Sequence, residues 1–231
     1  MKIVVADMLG FEDEHVGWIR EAAEDDTLVF PDEENLVAEM ADAEVFFGYH
    51  SPEVFLEAPN LKWIQTTSAG LDMMLTPEVT ALGLQVTNAS GLHAAPVVET
   101  AWALTLAVSR FLKHFGECQQ KHVWDQFTPY DLNDRTAGVV GLGGIGRRYA
   151  RIAAAFGMRV IAVDKHSPEK PDEVDELWPL DRLDDLCTEA DVVMIACPAT
   201  SETQGLIGAE QLALMKPTGI IVNIARGGII D

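Results

Sequence analysis

The sequence predicts an α/β protein of two domains, each built on a doubly wound parallel sheet. Short apolar strands alternate with amphipathic helical segments along the chain, and this alternation is typical of parallel sheets with helical crossovers. A glycine-rich stretch joins one of these strands directly to a helix. The length of 231 residues is enough for two modest α/β units but awkward for one.

The first domain is predicted to cover residues 1–98. Its strand candidates are residues 3–6, 27–30, 45–49, 61–66 and 85–87, with amphipathic helical stretches at 14–23 and 35–41. Pro96 suits a first helical turn and opens a long apolar helix that runs through Phe111. We therefore place the domain boundary near Val98.

The second domain is predicted to cover residues 99–231. After a looser polar segment at 113–134, its strands are expected at 137–140, 159–163, 192–196 and 219–223, and its helices at 145–156, 182–187 and 209–214. The sequence stops soon after the last of these strands, whereas a doubly wound nucleotide domain usually has more strands. We therefore expect the second sheet to be incomplete at the C-terminus and the chain to be a fragment.

The glycine-rich stretch from Arg135 to Gly146, RTAGVVGLGGIG, predicts a dinucleotide site. Gly141 allows a tight turn, Gly143 lets the backbone approach a pyrophosphate without a Cβ in the way, and Gly146 lets the helix pack closely on the strand. The N–H groups at the helix N-terminus then point at the anion.

Asp164 favours NAD over NADP as the dinucleotide. It ends the next apolar strand, where a carboxylate accepts hydrogen bonds from the adenosine ribose and repels a 2′-phosphate. Lys165 and His166 follow immediately and can soften that repulsion. NADP is therefore the less favoured alternative.

Composition excludes several kinds of partner. Lys and Arg total 16 against 37 Asp and Glu, a formal net charge of −21, so nucleic acid and anionic membranes are poor partners. Only seven of the cations are lysines. Because such a surface suits a protein kept soluble at high salt, a halophilic source is one hypothesis, and an ordinary acidic cytosolic protein is the other.

The cysteines indicate a reducing compartment. Cys118, Cys187 and Cys197 are odd in number and lack CxxC spacing, which argues against a disulfide framework and against a structural zinc site. The N-terminal segment has no long apolar run suited to a signal peptide or a membrane span. We therefore expect a cytoplasmic protein.

Loops that follow strands are the expected places for chemistry, because ligands of open parallel sheets bind beyond the carboxyl ends of the strands. In TTSAGLD, residues 66–72, the N–H groups of Ala69 and Gly70 suit a substrate carboxylate, with a plain tight turn as an equal alternative. In ACPATSET, residues 196–203, Pro198 is expected to shape a loop over the nicotinamide side.

Arg226 is the strongest catalytic candidate. It lies in NIARGGIID, just past a nearly all-apolar strand. A guanidinium can grip a carboxylate and the adjacent keto oxygen together, which orients a 2-oxo acid and polarises the carbonyl that receives hydride. An ion pair with a nearby acid is the structural alternative.

The proton donor that such a reaction needs has no persuasive candidate in the sequence. His50 and His93 are the candidates whose position suits it best, but a lone histidine is more often structural. The sequence has no GxSxG, no HExxH and no zinc-spaced cluster, and an SxxK match at Ser167 lacks its companion motifs. We therefore expect neither a hydrolase nor a metal site.

In combination, SAGLD, GLGGIGR, Asp164, CPATSET and VNIARGGIID resemble the D-isomer-specific 2-hydroxyacid dehydrogenases, over essentially the whole chain. The resemblance implies a flavodoxin-like substrate domain, a Rossmann-type dinucleotide domain, a site in the cleft between them, and a homodimer. It implies hydride transfer between NAD(H) and a small 2-oxo or D-2-hydroxy acid.

The resemblance also assigns site residues. Arg226 matches the catalytic arginine, and Ala69 and Gly70 match the carboxylate-binding turn. Beyond the three glycines of the turn, cofactor contacts match Gly144, Ile145, Asp164, Cys197, Pro198, Thr203, Ile224, Ala225 and Arg226.

One departure bears on activity. The family's catalytic glutamate and histidine lie downstream of the arginine motif, and the sequence ends at Asp231. We therefore expect the chain as given to be inactive. Because the same fold also serves transcriptional corepressors, a non-catalytic NAD-sensing binding protein is the alternative interpretation.

Overall fold

The computed structural model describes residues 1–166 and 169–231, so Ser167 of the SxxK match lies outside the described residues. Contacts divide the chain into two compact units, Met1–His93 and Ala94–Asp231. The division falls at the start of the helix Ala94–Ser109, about one turn before the expected boundary near Val98. The whole helix belongs to unit 2, because Val98 and Trp102 are buried against the unit 2 sheet.

Unit 1, which is described throughout, is built on a parallel sheet of five strands. They are β1 (Lys2–Asp7), β2 (Thr27–Val29), β3 (Val45–Tyr49), β4 (Trp63–Gln65) and β5 (Gln85–Thr87). Their order is β2-β1-β3-β4-β5, which is the flavodoxin-like order, with the switch point between β1 and β3. The expected strands of this domain are confirmed, with small differences at their ends.

The helices of unit 1 are α1 (Asp13–Ala22), α2 (Glu33–Met40), α3 (Glu53–Leu56) and α4 (Pro77–Ala81). Helix α2 begins at Asp32, whose carboxylate accepts the Asn35 N–H at 3.0 Å, as an N-cap residue does. Alternate strand residues such as Phe46 face α3, where the Phe46 and Phe55 rings meet edge to face at 5.0 Å. The period-two pattern of the strands thus places one sheet face in a buried core.

The described part of unit 2 contains a second parallel sheet. Its strands are β6 (Thr136–Val140), β7 (Arg159–Val163), β8 (Glu176–Trp178), β9 (Val192–Ile195) and β10 (Ile220–Asn223). Their order, β10-β9-β6-β7-β8, is the Rossmann-type order in which the chain returns to the first strand and continues on its other side. Four of these strands were expected, and β8 was missed.

The helices of unit 2 are α5 (Ala94–Ser109), α6 (Leu112–Gln120), α7 (Gly144–Ala155), α8 (Leu183–Glu189) and α9 (Ala209–Leu214). Successive residues of β7 point to opposite faces, so Val160 packs with α5 and α7 while Ile161 packs with α8. Helix α6 lies in the segment expected to be loose. No helix in the described ranges is both long enough and apolar enough to cross a membrane.

A buried carboxylate holds the start of the unit 2 sheet. Asp191, only 3% exposed, accepts hydrogen bonds from the Thr136 N–H at 2.9 Å and the Tyr130 hydroxyl at 3.0 Å, and lies 2.9 Å from the Lys216 ammonium. Burial alone would raise the pKa of Asp191, but these donors outweigh it and the pKa is lowered. Asp191 is therefore charged and joins β6, β9 and the turn before β10.

Candidate functional site

At two positions of the turn between β6 and α7, nearby backbone atoms leave no room for a side chain, so glycine is required. Gly141 has a φ of +92°, and a Cβ there would lie 2.7 Å from the backbone nitrogen of Cys197. A Cβ at Gly146 would lie 2.0 Å from the carbonyl oxygen of Gly141. Any side chain at either position would therefore displace backbone.

The other two glycines of the turn face open space. No described atom lies within 4 Å of a Cβ built at Gly143 or Gly144. Gly143 is the N-cap of α7, and no described side chain caps this helix. The N–H groups of its first turn are thus left for an anion, so the cradle fits a pyrophosphate.

Asp164 is held at this turn. Its carboxylate accepts the Leu142 N–H at 2.6 Å through Oδ2 and the His166 N–H at 2.6 Å through Oδ1. The neighbouring Lys165 ammonium lies 2.5 Å from the Glu202 carboxylate, and this contact lowers the pKa of Glu202. Lys165, expected to soften the repulsion of a 2′-phosphate, is thus paired with an acid.

The loop after β9 is closed by its own hydrogen bonds. The Thr203 hydroxyl donates to the Pro198 carbonyl at 2.7 Å and accepts the Thr200 N–H at 2.8 Å. Cys197 starts this loop; burial raises the pKa of its thiol, and the Asp164 carboxylate adds to the shift. The raised pKa means that the thiol of Cys197 is neutral near pH 7 and is not activated as a nucleophile.

The turn that carries Arg226 is built by Asn223, a residue that the sequence analysis did not single out. Asn223 Oδ1 accepts the Ala225 N–H at 3.0 Å, and its Nδ2 donates to the Arg226 carbonyl at 2.9 Å. The Arg226 side chain is exposed, and its Nη1 donates to the Ala225 carbonyl at 3.0 Å. An asparagine between an apolar strand and a turn was the available signal.

The loop after β9 also pairs with the segment that follows Arg226. The Gly205 N–H donates to the Gly228 carbonyl at 2.8 Å, and the Ile207 N–H donates to the Ile229 carbonyl at 3.0 Å. Ile207 and Ile230 form a parallel bridge. The two loops therefore support each other.

All these loops open at one edge of the unit 2 sheet. The Gly141 N–H donates to the Val163 carbonyl at 2.9 Å, and the Ala196 N–H donates to the Val140 carbonyl at 2.8 Å, so the ends of β6, β7 and β9 lie side by side. β10 pairs with β9 up to Asn223 and Ile195. The structure thus brings the glycine turn, Asp164, the Cys197 loop and the Ile224–Ala225–Arg226 turn to the edge where ligands of such sheets bind.

The Ala69–Gly70 turn belongs to unit 1 and follows β4. The Gly70 N–H donates to the Ser68 hydroxyl at 3.2 Å, and the Asn88 amide donates to the Ala69 carbonyl at 2.8 Å. The turn is therefore shaped by side chains. A substrate carboxylate bound at this turn would replace the Ser68 hydroxyl as the acceptor of the Gly70 N–H.

The two histidines considered as proton donors also lie in unit 1. His93 Nε2 is 3.4 Å from the Thr67 carbonyl, and His50 Nδ1 is buried without a hydrogen-bond partner among the described residues. His93 lines a hollow of about 720 Å³ together with Asp7 and Tyr49. Neither histidine contacts a carboxylate in any described hydrogen bond, whereas a proton-donating histidine is usually held protonated by one.

The comparisons with known proteins agree with this geometry. The family model described as "D-isomer specific 2-hydroxyacid dehydrogenase, NAD binding domain" matches residues 102–231, more than half of the chain. The chain belongs to the D-isomer-specific 2-hydroxyacid dehydrogenase family. NAD is the cofactor of the matched domain.

Curated relatives in the 2-hydroxyacid dehydrogenase family include two archaeal enzymes. A glyoxylate reductase of Thermococcus kodakarensis is 40% identical over 189 residues, covering 78% of this chain and 56% of the relative. A D-3-phosphoglycerate dehydrogenase of Methanocaldococcus jannaschii is 32% identical, covering 100% of this chain and 45% of the relative. The chain thus spans about half the length of these curated relatives.

Among solved structures, a D-lactate dehydrogenase from Aquifex aeolicus complexed with NAD and lactic acid matches with a TM-score of 0.79 and 28% identity, covering 100% of this chain and 71% of that one. An acyclic imino acid reductase in complex with NADPH and D-Arg matches with a TM-score of 0.82 and 25% identity, covering 100% and 76%. Both structures match the whole of this chain and therefore support its fold of two α/β units.

Proposed function

We propose that the protein is an NAD-dependent oxidoreductase that interconverts a small 2-oxo acid and the corresponding D-2-hydroxy acid. The observation that carries this proposal is the position of Arg226, in the turn built by Asn223, at the sheet edge that also carries the glycine turn. Glyoxylate reductase and D-lactate dehydrogenase among the relatives support a small acid as substrate.

NAD supplies or accepts the hydride when it is bound. The first-turn N–H groups of α7 hold its pyrophosphate, and Gly143 and Gly144 leave the room that the phosphates need. Ile145, Cys197, Pro198, Thr203, Ile224 and Ala225 are the remaining proposed contacts.

Arg226 orients the substrate and polarises its carbonyl. Its guanidinium pairs with the substrate carboxylate and donates to the keto oxygen, where negative charge develops during reduction. Ala69 and Gly70 are proposed to bind the carboxylate through their N–H groups, by the family resemblance. The glutamate and histidine that would supply the proton are placed by the same resemblance after the arginine motif.

We propose NAD rather than NADP as the preferred dinucleotide. The Asp164 carboxylate accepts two backbone N–H groups at the end of β7, where it favours ribose hydroxyls over a 2′-phosphate. Lys165, which could offset this preference, is paired with Glu202.

The remaining proposals concern the whole protein. We propose a cytoplasmic homodimer, since the resemblance implies the dimer and the scattered, unpaired cysteines fit a reducing compartment. The net charge of −21 argues against nucleic acid and anionic membranes as partners. Light scattering coupled to gel filtration tests the dimer.

The function is tested on the complete gene product with NADH and a panel of 2-oxo acids, including glyoxylate, pyruvate and hydroxypyruvate. We expect oxidation of NADH by at least one of them. Arg226→Gln should lower kcat/KM by about 10²- to 10³-fold, the usual cost of removing one donor to a developing oxyanion, while NADH affinity stays within a few-fold.

Arg182→Gln is the matched control, because within the described ranges Arg182 forms an exposed pair with Asp185 and covers the Trp178 ring. It should leave kcat/KM unchanged. Tight NADH binding without turnover of any acid would contradict the proposal and favour an NAD-sensing binding protein.

A further inference from the structure

The segment between α5 and β6 projects from the end of helix α5 and then returns to the unit 2 sheet. We call residues 110–131 the α6 excursion. Its base is closed by the Tyr130 N–H, which donates to the Ser109 carbonyl at 3.0 Å, and by an ion pair between Arg110 and Asp131 at 2.7 Å. The excursion lies away from the strand ends that carry the dinucleotide turn.

Three side chains with metal-binding atoms meet in the α6 excursion. His114 and Cys118 lie four residues apart on α6, so they share one face of the helix. The chain reverses at His122, which has a φ of 54°, and the Val123 N–H donates to the Cys118 carbonyl at 2.9 Å. This reversal returns Asp125 to the same face.

The donor atoms converge on one point. His114 Nε2 lies 2.8 Å from Asp125 Oδ2 and 3.5 Å from Cys118 Sγ, and each of the three residues offers an atom within 4.8 Å of the others. Sequence spacing alone does not show this cluster, because Asp125 reaches His114 only through the reversal at His122.

The arrangement differs from a catalytic relay. In a Cys-His-Asp relay the carboxylate holds one ring nitrogen and the thiol contacts the other. Here both the carboxylate and the thiol contact Nε2 of His114. A single proton on Nε2 can form a good hydrogen bond with only one of these two partners. A cation placed between the three donor atoms can be coordinated by the imidazole, the thiolate and the carboxylate together.

The distances suit a tetrahedral ion of zinc size. With metal–nitrogen bonds of about 2.0 to 2.1 Å and metal–sulfur bonds of about 2.3 Å, a tetrahedral site separates its nitrogen and sulfur ligands by roughly 3.6 Å. The observed separation of Nε2 and Sγ is 3.5 Å. The Asp125 oxygen must move out by roughly half an ångström to reach the same geometry, and its side chain, 47% exposed, is free to do so.

The surroundings hold the histidine in place. The Phe115 and Phe127 rings lie 5.7 Å and 5.4 Å from the His114 ring and stack on each other at 5.1 Å. These aromatic contacts fix the orientation of the His114 ring and so reduce the rearrangement that metal binding requires.

We propose that His114, Cys118 and Asp125 form a binding site for a divalent transition-metal ion of the Zn²⁺ class, with water in the fourth position. Thiolate and imidazole ligands select such ions over Mg²⁺ and Ca²⁺. Metal binding displaces the thiol proton of Cys118, and this proton is released to solvent. Binding also links the segment that carries Asp125 to helix α6. The site takes no part in hydride transfer.

The test is a Co²⁺ titration of protein first stripped with a chelator and kept reduced. We expect one Co²⁺ per chain, with a thiolate-to-cobalt charge-transfer band and the visible bands of tetrahedral cobalt, both removed by an equivalent of Zn²⁺. His114→Gln and Cys118→Ser should each weaken binding at least tenfold, and Asp125→Asn should weaken it less.

Matched controls are His15→Gln and Asp181→Asn, which change the same residue types outside the α6 excursion and should bind Co²⁺ like the parent protein. Far-ultraviolet circular dichroism and NADH affinity should be the same in every variant. Absence of the charge-transfer band in the parent protein, or unchanged Co²⁺ affinity in both His114→Gln and Cys118→Ser, overturns the proposal.

A second measurement needs no substitution. Zn²⁺ should slow the reaction of Cys118 with a thiol reagent at least tenfold, as read by mass spectrometry of the labelled peptide. Cys187 and Cys197 are buried, and burial raises the pKa of both thiols, that of Cys187 to about 11, so they serve as internal slow controls. Equal labelling of Cys118 with and without Zn²⁺ also overturns the proposal.

Discussion

Gly143 and Gly146 belong to the same turn but have different surroundings. Open space surrounds Gly143, whereas a Cβ at Gly146 would meet the Gly141 carbonyl at 2.0 Å. Gly143→Ala should therefore fold normally and bind NADH at least tenfold more weakly, a loss of about 1.4 kcal/mol. Gly146→Ala should lower the free energy of unfolding by about 1 to 3 kcal/mol.

Urea unfolding and NADH fluorescence titration separate the two effects. Parent-like NADH affinity in Gly143→Ala would show that the phosphates do not approach this position. A Gly146→Ala variant of unchanged stability would contradict the close packing of α7 on the turn.

Asp191 makes stability depend on pH. Because the folded-state pKa of Asp191 is lowered, its contribution is present above the unfolded pKa of about 3.9 and is lost as pH falls through the lower folded value. Asp191→Asn should reduce the free energy of unfolding by about 1 to 3 kcal/mol near pH 7, since the amide nitrogen replaces one of the two oxygens that accept from Thr136 and Tyr130 and leaves that donor unpaired.

Urea unfolding of both proteins from pH 7 to pH 3 measures this effect, and we expect their difference to shrink below about pH 4. Asp181→Asn, at an exposed acid, is the control and should match the parent throughout. A difference that stays constant with pH would show that the charge of Asp191 is not the cause.

At the residue scale, the sequence predicted those residues whose role depends only on backbone adjacent to them in sequence. The glycine turn could be predicted because strand, turn and helix are contiguous in sequence. The pairing of Lys165 with Glu202 and the hydrogen bond from Asn88 to the Ala69 carbonyl could not, because each depends on where a side chain distant in sequence lies in three dimensions.

At the scale of elements, α5 and α7 are joined by aromatic packing. The Trp102 ring stacks on Tyr149 at 4.5 Å and contacts Phe156 at 4.8 Å. Burial raises the pKa of Tyr149 to about 12, although the hydrogen bond with Thr105 opposes the shift. The contact therefore lies in the interior of unit 2.

Trp102→Ala should lower the free energy of unfolding of unit 2 by about 3 to 5 kcal/mol, because it leaves a large cavity between the helices. Tyr149→Phe keeps the ring and loses only the hydroxyl contact with Thr105 at 3.3 Å, so it should cost less than about 1.5 kcal/mol. Denaturant unfolding followed by circular dichroism compares them, and equal losses would contradict the packing explanation.

The elements missed by the sequence analysis are short or follow an unusual backbone conformation. β8 has three residues and pairs only with β7, too short for a period-two pattern to stand out. α6 starts after Phe111, whose φ of 55° breaks the helical run of α5. No local composition signal marks a left-handed phenylalanine.

At the scale of the whole molecule, the net charge of −21 sets the dependence of stability on salt. If the surface is adapted to high salt, the urea midpoint should rise steadily from low to molar KCl, since screening reduces self-repulsion. An ordinary acidic protein should show a small rise that ends near physiological ionic strength. Unfolding at molar KCl would contradict the halophilic hypothesis.

The pairing of the Cys197 loop with the segment after Arg226 constrains how the substrate preference of the proposed enzyme could be altered. Ile207 and Ile229 are buried in the same core cluster, and a Cβ at Gly228 would lie 2.9 Å from the Gln204 side chain, so replacing one loop alone with that of a relative leaves these side chains mismatched. A chimera intended to accept a different acid should exchange both segments as a single cassette, and libraries that vary them independently should contain mostly unstable members.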